Sequence, residues 1–240
     1  MFAAIRGVKA PRALRAIRAL IADPDDLPQV FVLIEELSGS SLVRIEKKMQ
    51  THPSGQRILA DRPALISQLE DREALRRLPE GSLGRAYLAF LESEGISAQG
   101  IREAQARGHL GTKKLSPQQS YVRDRLRDTH DLWHAATGYK GDVLGETALL
   151  AFTLAQSWNL GIAVIIGVGL WKTIGAPAAR AVIIDGFRRG KRAAWLPGAA
   201  WEELLARPLD EVRAEFNLGP PPVYTAIRSS QLKGAMASAM

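Results

Sequence analysis

The segment TALLAFTLAQSWNLGIAVIIGVGLW, residues 147–171, decides which fold class this chain can adopt. It carries no charged residue over its length, and it is long enough to cross a bilayer as one helix. Three polar residues in its middle, Gln156, Ser157 and Asn159, argue against a membrane span, as do its glycines. The rest of the chain offers no second segment to partner a span. We therefore predict two buried helices that meet near residues 159–161, either as plain core or as the wall of an apolar cavity.

Helical periodicity continues through most of the remaining chain, interrupted by Pro, Gly and Asp. Besides the two helices above, the pattern predicts helices at these ranges: 11–22, 27–37, 41–50, 54–60, 63–70, 81–94, 98–106, 116–137, 178–194, 198–206 and 208–216. The best strand candidate, residues 182–184, lies inside a helical pattern. The predicted fold class is therefore all-α, a single-domain multi-helix bundle with an apolar groove or cavity.

The chain divides by composition into three parts. We predict a basic amphipathic helix in residues 1–22, a single all-helical domain in residues 23–228, and a flexible tail in residues 229–240, which are small and polar. Residues 107–114 predict a loop. The basic first segment resembles a mitochondrial transit peptide, but it contains no serine, and a first helix with a solvated or membrane-facing basic side is the simpler interpretation.

Charge and cysteine content restrict the function. The net charge is +7, and five cations in residues 1–22 account for most of the excess. Basic residues are clustered and not interleaved with aromatic residues, so nucleic acid is a poor candidate and an anionic lipid or substrate a better one. Cysteine is absent, which leaves His, Asp and Glu as metal ligands. No secretory signal is apparent, so we expect a cytoplasmic protein.

Two of the four histidines lie in the stretch HDLWHAATGYKGDVLGE, residues 130–146. On the predicted helix 116–137, at about 100° per residue, one stripe contains Arg123, Arg127, His130, Asp131 and His134. Histidines at i and i+4 can converge on one metal ion.

A turn after this helix brings the next helix back, and with it Glu146 toward His134. We predict a divalent metal held by His130, Asp131, His134 and Glu146. Zn fits two histidines best, with Fe(II), Mn or Mg as alternatives. A hydrogen-bonded His/Asp/Glu network without metal is the simpler alternative.

The spacing His-Asp-x-x-His, eleven residues, then Glu resembles the signature of the coenzyme Q (ubiquinone) biosynthesis protein 4 family. The flanking motifs are also similar: HPSGQRILADRP at 52–63, LPEGSLGRAYLAFL at 78–91, YVRDRLRDTHDLWH at 121–134 and AWLPGAAWEELLARPLDEVRAEFNLGPPPVY at 194–224. Leu150 and Thr153 depart from the Lys and Glu that many members carry there. The resemblance covers roughly residues 28–224 and implies an all-helical protein.

The resemblance also implies a function. The substrate would be a polyprenylated 4-hydroxybenzoate-derived ring whose C1 carboxylate is removed or oxidatively replaced. We expect His130, His134 and Glu146 to be catalytic through the metal, and Arg127 and Arg123 to bind the carboxylate. Arg125 falls on another side of the helix, which predicts a structural ion pair.

The expected partners are a prenylated benzoate or phenol lipid, other ubiquinone biosynthesis proteins, a membrane surface and, as a possibility, a second copy of the chain. The expected place is the inner face of a bacterial membrane, with the matrix side of the mitochondrial inner membrane as the alternative. A non-catalytic scaffold that presents prenyl lipids is the main competing function. A phosphohydrolase is a weaker one, because the other ligands it needs are missing.

Overall fold

A computed structural model describes residues 10–108 and 115–228, and within these ranges every regular element is helical apart from one isolated bridge between Ser82 and Pro208. The helices in chain order are α1 (Ala10–Ala22), α2 (Leu27–Glu36), α3 (Ser41–Thr51), α4 (Pro53–Asp61), α5 (Leu65–Glu70), α6 (Arg72–Arg77), α7 (Leu83–Glu94), α8 (Ala98–Gly108), α9 (Pro117–Asp128), α10 (His130–Thr137), α11 (Val143–Ser157), α12 (Leu160–Lys172), α13 (Pro177–Arg192), α14 (Trp201–Leu204) and α15 (Leu209–Glu215). Residues 1–9 of the predicted first helix, residues 109–114 of the predicted loop and the predicted tail 229–240 lie outside the described residues. Residues 107 and 108, predicted as loop, belong to α8.

The predicted helices are confirmed, with three differences. The sequence did not predict α6, which begins where the Asp71 side chain accepts a hydrogen bond from the Ala74 amide. The predicted helix 116–137 is interrupted at Thr129, whose hydroxyl donates to the Leu126 carbonyl and so competes with the helical backbone. The predicted helix 198–206 shortens to α14, because a 3₁₀ turn at Leu196–Gly198 precedes it.

The largest hydrophobic cluster lies between α5, α7, α10, α11, α14 and α15. Trp201, Tyr87, Leu132, Leu149 and Phe152 are all fully buried in it. This cluster holds α10 and the start of α11 in place, and these are the two elements that carry the predicted metal ligands.

Helices α11 and α13 pack at a distance that only glycine allows. A Cβ atom at Gly186 would overlap the Ala148 carbonyl, and one at Gly190 would overlap the Phe152 carbonyl. Both overlaps are with backbone, so they can be relieved only by moving the two helices apart.

We expect Gly186→Ala to lower the free energy of unfolding by about 1–3 kcal/mol, the usual cost of overpacking. Gly167→Ala is the matched control, because a Cβ there meets nothing within 4 Å in another helix. Alanine is the better helix former, so the control should be neutral or more stable. Urea unfolding of both variants measures the difference, and equal stability of the two would contradict the close packing.

The uncharged segment 147–171 forms two helices, as predicted. Trp158 ends α11 in a left-handed conformation, and the Asn159 side chain accepts hydrogen bonds from the first amides of α12. The prediction that both helices are buried is wrong for α12, since Leu160 is 49% and Trp171 60% exposed. Within the described ranges, none of the helices combines the length and the apolar character that a bilayer crossing requires.

Helix α1 packs on α2 through one apolar face and exposes its basic residues. Ala13, Ala16 and Leu20 are buried in a cluster with α2, whereas Arg15 and Arg18 are exposed. This arrangement matches the prediction of an amphipathic helix with a solvated basic side.

Candidate metal centre

The predicted ligands lie on two elements that the chain brings together by a short connection. Helix α10 ends at Gly138, which takes a left-handed conformation with φ 83°. Helix α11 begins after Asp142, whose carboxylate accepts hydrogen bonds from the amides of Leu144 and Gly145. The cap fixes the first turn of α11, and Glu146 lies in that turn.

Three of the predicted ligands converge. The Nε2 atom of His130 lies 3.2 Å from one carboxylate oxygen of Glu146, and the Nε2 atom of His134 lies 3.1 Å from the other. When one ligand atom is taken from each of these residues, the three atoms all lie within 4.8 Å of one another. The two histidine rings meet edge to face, with centroids 4.9 Å apart.

His134 has the arrangement of a prepared metal ligand. Its Nδ1 atom lies 3.0 Å from the Tyr139 carbonyl, which can only accept, so Nδ1 carries the proton. When the ring is neutral, Nε2 therefore carries the lone pair that a metal would need. That atom is buried, and no described residue makes a hydrogen bond to it in spite of the nearby Glu146 oxygen. Such a buried nitrogen beside a carboxylate fits a cation between the two.

The electrostatics of the group point the same way. Burial acts to raise the pKa of Glu146, but attraction to His134 and a hydrogen bond from His130 outweigh burial and hold the pKa well below its usual range. Burial acts to lower the pKa of His134, yet the Glu146 carboxylate raises it above the usual value. The site therefore favours a positive charge between the imidazole and the carboxylate.

Asp131 lies beside this group but is not a member of it. Asp131 follows His130 by one residue, about 100° further round the helix, and it contributes no oxygen to the atoms that lie within 4.8 Å of one another. Asp131 is buried, and burial raises its pKa in spite of the two histidines. The geometry thus supports three protein ligands and leaves the fourth, predicted at Asp131, without support.

Arg123 and Arg127, the predicted substrate-binding residues, are paired with carboxylates of their own helix. The Arg123 guanidinium lies 2.9 Å from Asp124, and the Arg127 guanidinium lies 2.6 Å from Asp128. Arg127 also donates to Gln105 of α8. The helical wheel placed both arginines on the histidine side without considering the acids next to them in sequence. Their role toward a substrate stays a prediction.

Arg125 makes the structural ion pair that its position predicts. Its guanidinium, 4% exposed, lies 2.5 Å and 2.9 Å from the two Glu202 carboxylate oxygens of α14. It also donates to the Ala199 carbonyl at 3.0 Å. The pair ties α9 to the C-terminal part of the bundle. His52 precedes α4, and its Nδ1 atom lies 3.0 Å from the Ser54 hydroxyl.

Residues 224–227 hold the turn between α10 and α11 in place, and no motif in the sequence links them to the site. The Tyr224 hydroxyl donates to Asp142 at 3.0 Å and accepts from the Lys140 amide at 2.9 Å. The Ile227 amide donates to the same aspartate at 2.8 Å. Residues 224–227 therefore brace the cap that orients Glu146. No spacing rule links Tyr224 to a residue 82 positions earlier.

We expect Tyr224→Phe to weaken metal binding by about tenfold, because outer-sphere partners typically contribute 10–100-fold to metal affinity. Tyr121→Phe is the matched control, since Tyr121 donates to the Pro63 carbonyl away from the site. Competition with a fluorescent chelator measures both affinities. An unchanged affinity in Tyr224→Phe protein would show that the brace does not orient Glu146.

The chain is similar to proteins named for ubiquinone biosynthesis. The family model described as coenzyme Q (ubiquinone) biosynthesis protein Coq4 matches residues 10–222. A mitochondrial ubiquinone biosynthesis protein coq4 from Talaromyces stipitatus is 34% identical over 196 residues, 78% of this chain and 63% of the relative. One of the same name from Penicillium rubens is 32% identical over 193 residues, 78% of this chain and 64% of the relative. The chain thus spans slightly less than two thirds of these relatives.

A solved structure has the same fold. It is that of a Nostoc punctiforme protein named for ubiquinone biosynthesis, with a TM-score of 0.62 and 23% identity. The match covers 88% of this chain and 99% of the other. At this identity the likeness establishes the all-helical architecture.

Proposed function

Since this chain belongs to the coenzyme Q (ubiquinone) biosynthesis protein Coq4 family, we propose that it acts in ubiquinone biosynthesis as a metal-dependent enzyme. Its substrate is a polyprenylated 4-hydroxybenzoate-derived ring, and the bond that breaks joins C1 to its carboxylate. Carbon dioxide leaves, and a proton takes its place on C1. In the oxidative form, a hydroxyl group takes that place, and O2 with a two-electron donor supplies the oxygen atom and forms water.

The observation that carries this proposal is the convergence of His130, His134 and Glu146 around one point. Two imidazoles and one carboxylate form a ligand set typical of catalytic zinc, which keeps a coordination position for water or substrate. When bound, the metal supplies a Lewis acid that stabilises negative charge on the carboxylate or the ring oxygen. Zn is the first choice, and Fe(II), Mn and Mg are alternatives.

The exposure of the three ligands indicates where a substrate approaches. The His134 side chain is fully buried, whereas those of His130 and Glu146 are 21% and 39% exposed. The ring must therefore come from the side of His130 and Glu146. Arg127, 12% exposed at its side chain, is our candidate to bind the substrate carboxylate once it exchanges one of its present acidic partners, and Arg123 is the second.

Helix α12 and the residues after it offer apolar surface for a prenyl chain and a membrane. Leu160, Trp171 and Ile174 are 49%, 60% and 64% exposed along one side of α12 and the residues after it, with Lys172 beside them. Interfacial proteins commonly combine exposed Trp with basic residues in this way. We propose peripheral binding to the inner face of a bacterial membrane, with the matrix side of the mitochondrial inner membrane as the alternative. The fungal relatives are named as mitochondrial proteins.

This exposed apolar side also supports a second candidate function, a scaffold that presents prenyl lipids to other ubiquinone biosynthesis proteins or to a second copy of the chain. The two functions differ in what the isolated protein does. Incubation of pure protein with a prenylated hydroxybenzoate, divalent metal, O2 and a two-electron donor separates them. We expect release of carbon dioxide. Tight binding of the lipid without any turnover would reject the enzyme and favour the scaffold.

A further inference from the structure

A second candidate site lies at the end of α11 opposite to Glu146. A cleft of about 340 Å³ opens between one side of α3 and the C-terminal ends of α11 and α13. Arg44, Lys48, Trp158, Lys191 and Trp195 are among its lining residues. Glu146 and Ala155 are nine positions apart on α11, roughly 13.5 Å along the helix, so the cleft is separate from the candidate metal centre.

The cleft concentrates positive charge that the described residues do not neutralise. Its lining contains three cations, Arg44, Lys48 and Lys191, and no carboxylate. Arg44 and Lys48 are four residues apart on α3, a spacing at which like charges repel. Arg44 is held in place by the Trp158 carbonyl at 2.8 Å and the Ser40 hydroxyl at 2.5 Å. Lys48 lies over the Trp195 ring, 4.3 Å from its centre.

Trp158 is the second unusual feature of the cleft. It takes a left-handed conformation, φ 53° and ψ 44°, at a helix end where glycine is the usual residue. Its side chain is 60% exposed and touches Phe187 only edge to face. A bulky side chain in this conformation costs stability. Because most of the Trp158 surface is exposed, burial of the ring offsets little of that cost. Residues that break a local rule in this way are concentrated at functional sites.

We propose that this cleft binds an aromatic phosphate of the nucleoside diphosphate class. The phosphates lie between Lys48, Lys191 and Arg44, and the aromatic ring stacks on Trp158. Lysine and arginine provide charge-assisted hydrogen bonds to phosphate oxygens, and base–tryptophan stacking adds affinity that inorganic phosphate lacks. The competing explanation is that Lys48 and Lys191 only balance the helix dipoles at the C-terminal ends of α3 and α13.

Differential scanning fluorimetry of the full chain with ADP, pyrophosphate and adenosine tests the proposal at constant ionic strength. We expect ADP to raise the melting temperature saturably, and at lower concentration than either of its parts. No saturable effect of ADP would overturn the proposal, and so would equal affinity for ADP and pyrophosphate, because stacking would then contribute nothing. Binding of poly-glutamate in place of ADP would also overturn it and assign the cleft to an acidic protein segment.

Two variants separate a binding site from a structural role. Lys48→Gln should weaken ADP binding by about tenfold or more without lowering the melting temperature of the free protein, since it removes a repelling charge. Lys47→Gln is the matched control, because Lys47 is exposed on the same helix and is not a lining residue of the cleft. A lower melting temperature in Lys48→Gln protein with unchanged ADP affinity would show that the dipole explanation is correct.

Trp158→Gly provides the independent test. Glycine relieves the left-handed conformation, so the free protein should melt at a higher temperature while ADP binding weakens. Trp171→Ala removes an equally exposed tryptophan at the other end of α12 and should leave ADP binding unchanged. Unchanged ADP affinity in Trp158→Gly protein would contradict the role of the ring.

Discussion

Replacing Glu146 by glutamine should remove the bound metal and lower the rate of C1 carboxylate loss by about 10²–10³-fold. A carboxamide is neutral and a poor ligand, and it leaves only His130 and His134 to hold the ion. Loss of a Lewis acid worth several kcal/mol in the transition state corresponds to this factor, at 1.36 kcal/mol per tenfold. Metal analysis of the purified protein and carbon dioxide release measure the two effects.

Glu146→Gln is close to isosteric, so the fold should remain intact. A loss of metal or of activity can then be assigned to the missing carboxylate. Glu92→Gln is the matched control, because Glu92 is half exposed and pairs with Arg76 on the surface. His134→Ala should give the same loss as Glu146→Gln. Full metal content and full activity in either site variant would show that the three residues form a hydrogen-bonded network and nothing more.

Removing the Glu202 carboxylate should cause the largest loss of stability, about 3–5 kcal/mol, because Glu202→Ala leaves the Arg125 guanidinium buried without its counter-ion. The Ala199 carbonyl, 3.0 Å away, would remain as an uncharged hydrogen-bond acceptor for that guanidinium. Urea unfolding measures the change. The neighbouring Glu203→Ala is the matched control, since Glu203 is 61% exposed in a surface pair with Arg57 and should contribute less than about 1 kcal/mol.

Metal binding provides a second readout for the same variant. The ion pair lies on α9 and α14, whereas the proposed metal ligands lie on α10 and α11. Folded Glu202→Ala protein should therefore bind metal with unchanged stoichiometry. A loss of stability no larger than that of Glu203→Ala would contradict the role of this pair in holding α9 to the rest of the bundle.

Features set by local rules were predictable from the sequence. Ser116 and Pro117 begin α9 with a capping box, and Asp142 caps α11, as their positions predict. The i, i+4 histidines and the position of Glu146 after a short turn gave the three converging ligands, because helix geometry fixes both relationships.

Features set by contacts between distant residues, or by competition between neighbours, were not predictable. The helical wheel treats Arg127 as free, but its neighbour Asp128 is within reach of the guanidinium. Tyr224 reaches Asp142 only because the C-terminal segment folds back over α11. The exposure of Trp171 depends on which side of α12 the neighbouring helices leave uncovered, and an all-apolar helix carries no periodic signal for that choice.

Reconstitution with metal tests the proposed function most directly. Protein stripped with a chelator would be titrated with Zn²⁺, and in parallel with Fe²⁺, Mn²⁺ and Mg²⁺, while carbon dioxide release from a substrate labelled at its C1 carboxyl is followed. We predict no release without metal, and a rate that rises in proportion to occupancy until one ion per chain is bound. Release of labelled carbon dioxide at the full rate by metal-free protein would contradict a metal-dependent reaction at His130, His134 and Glu146.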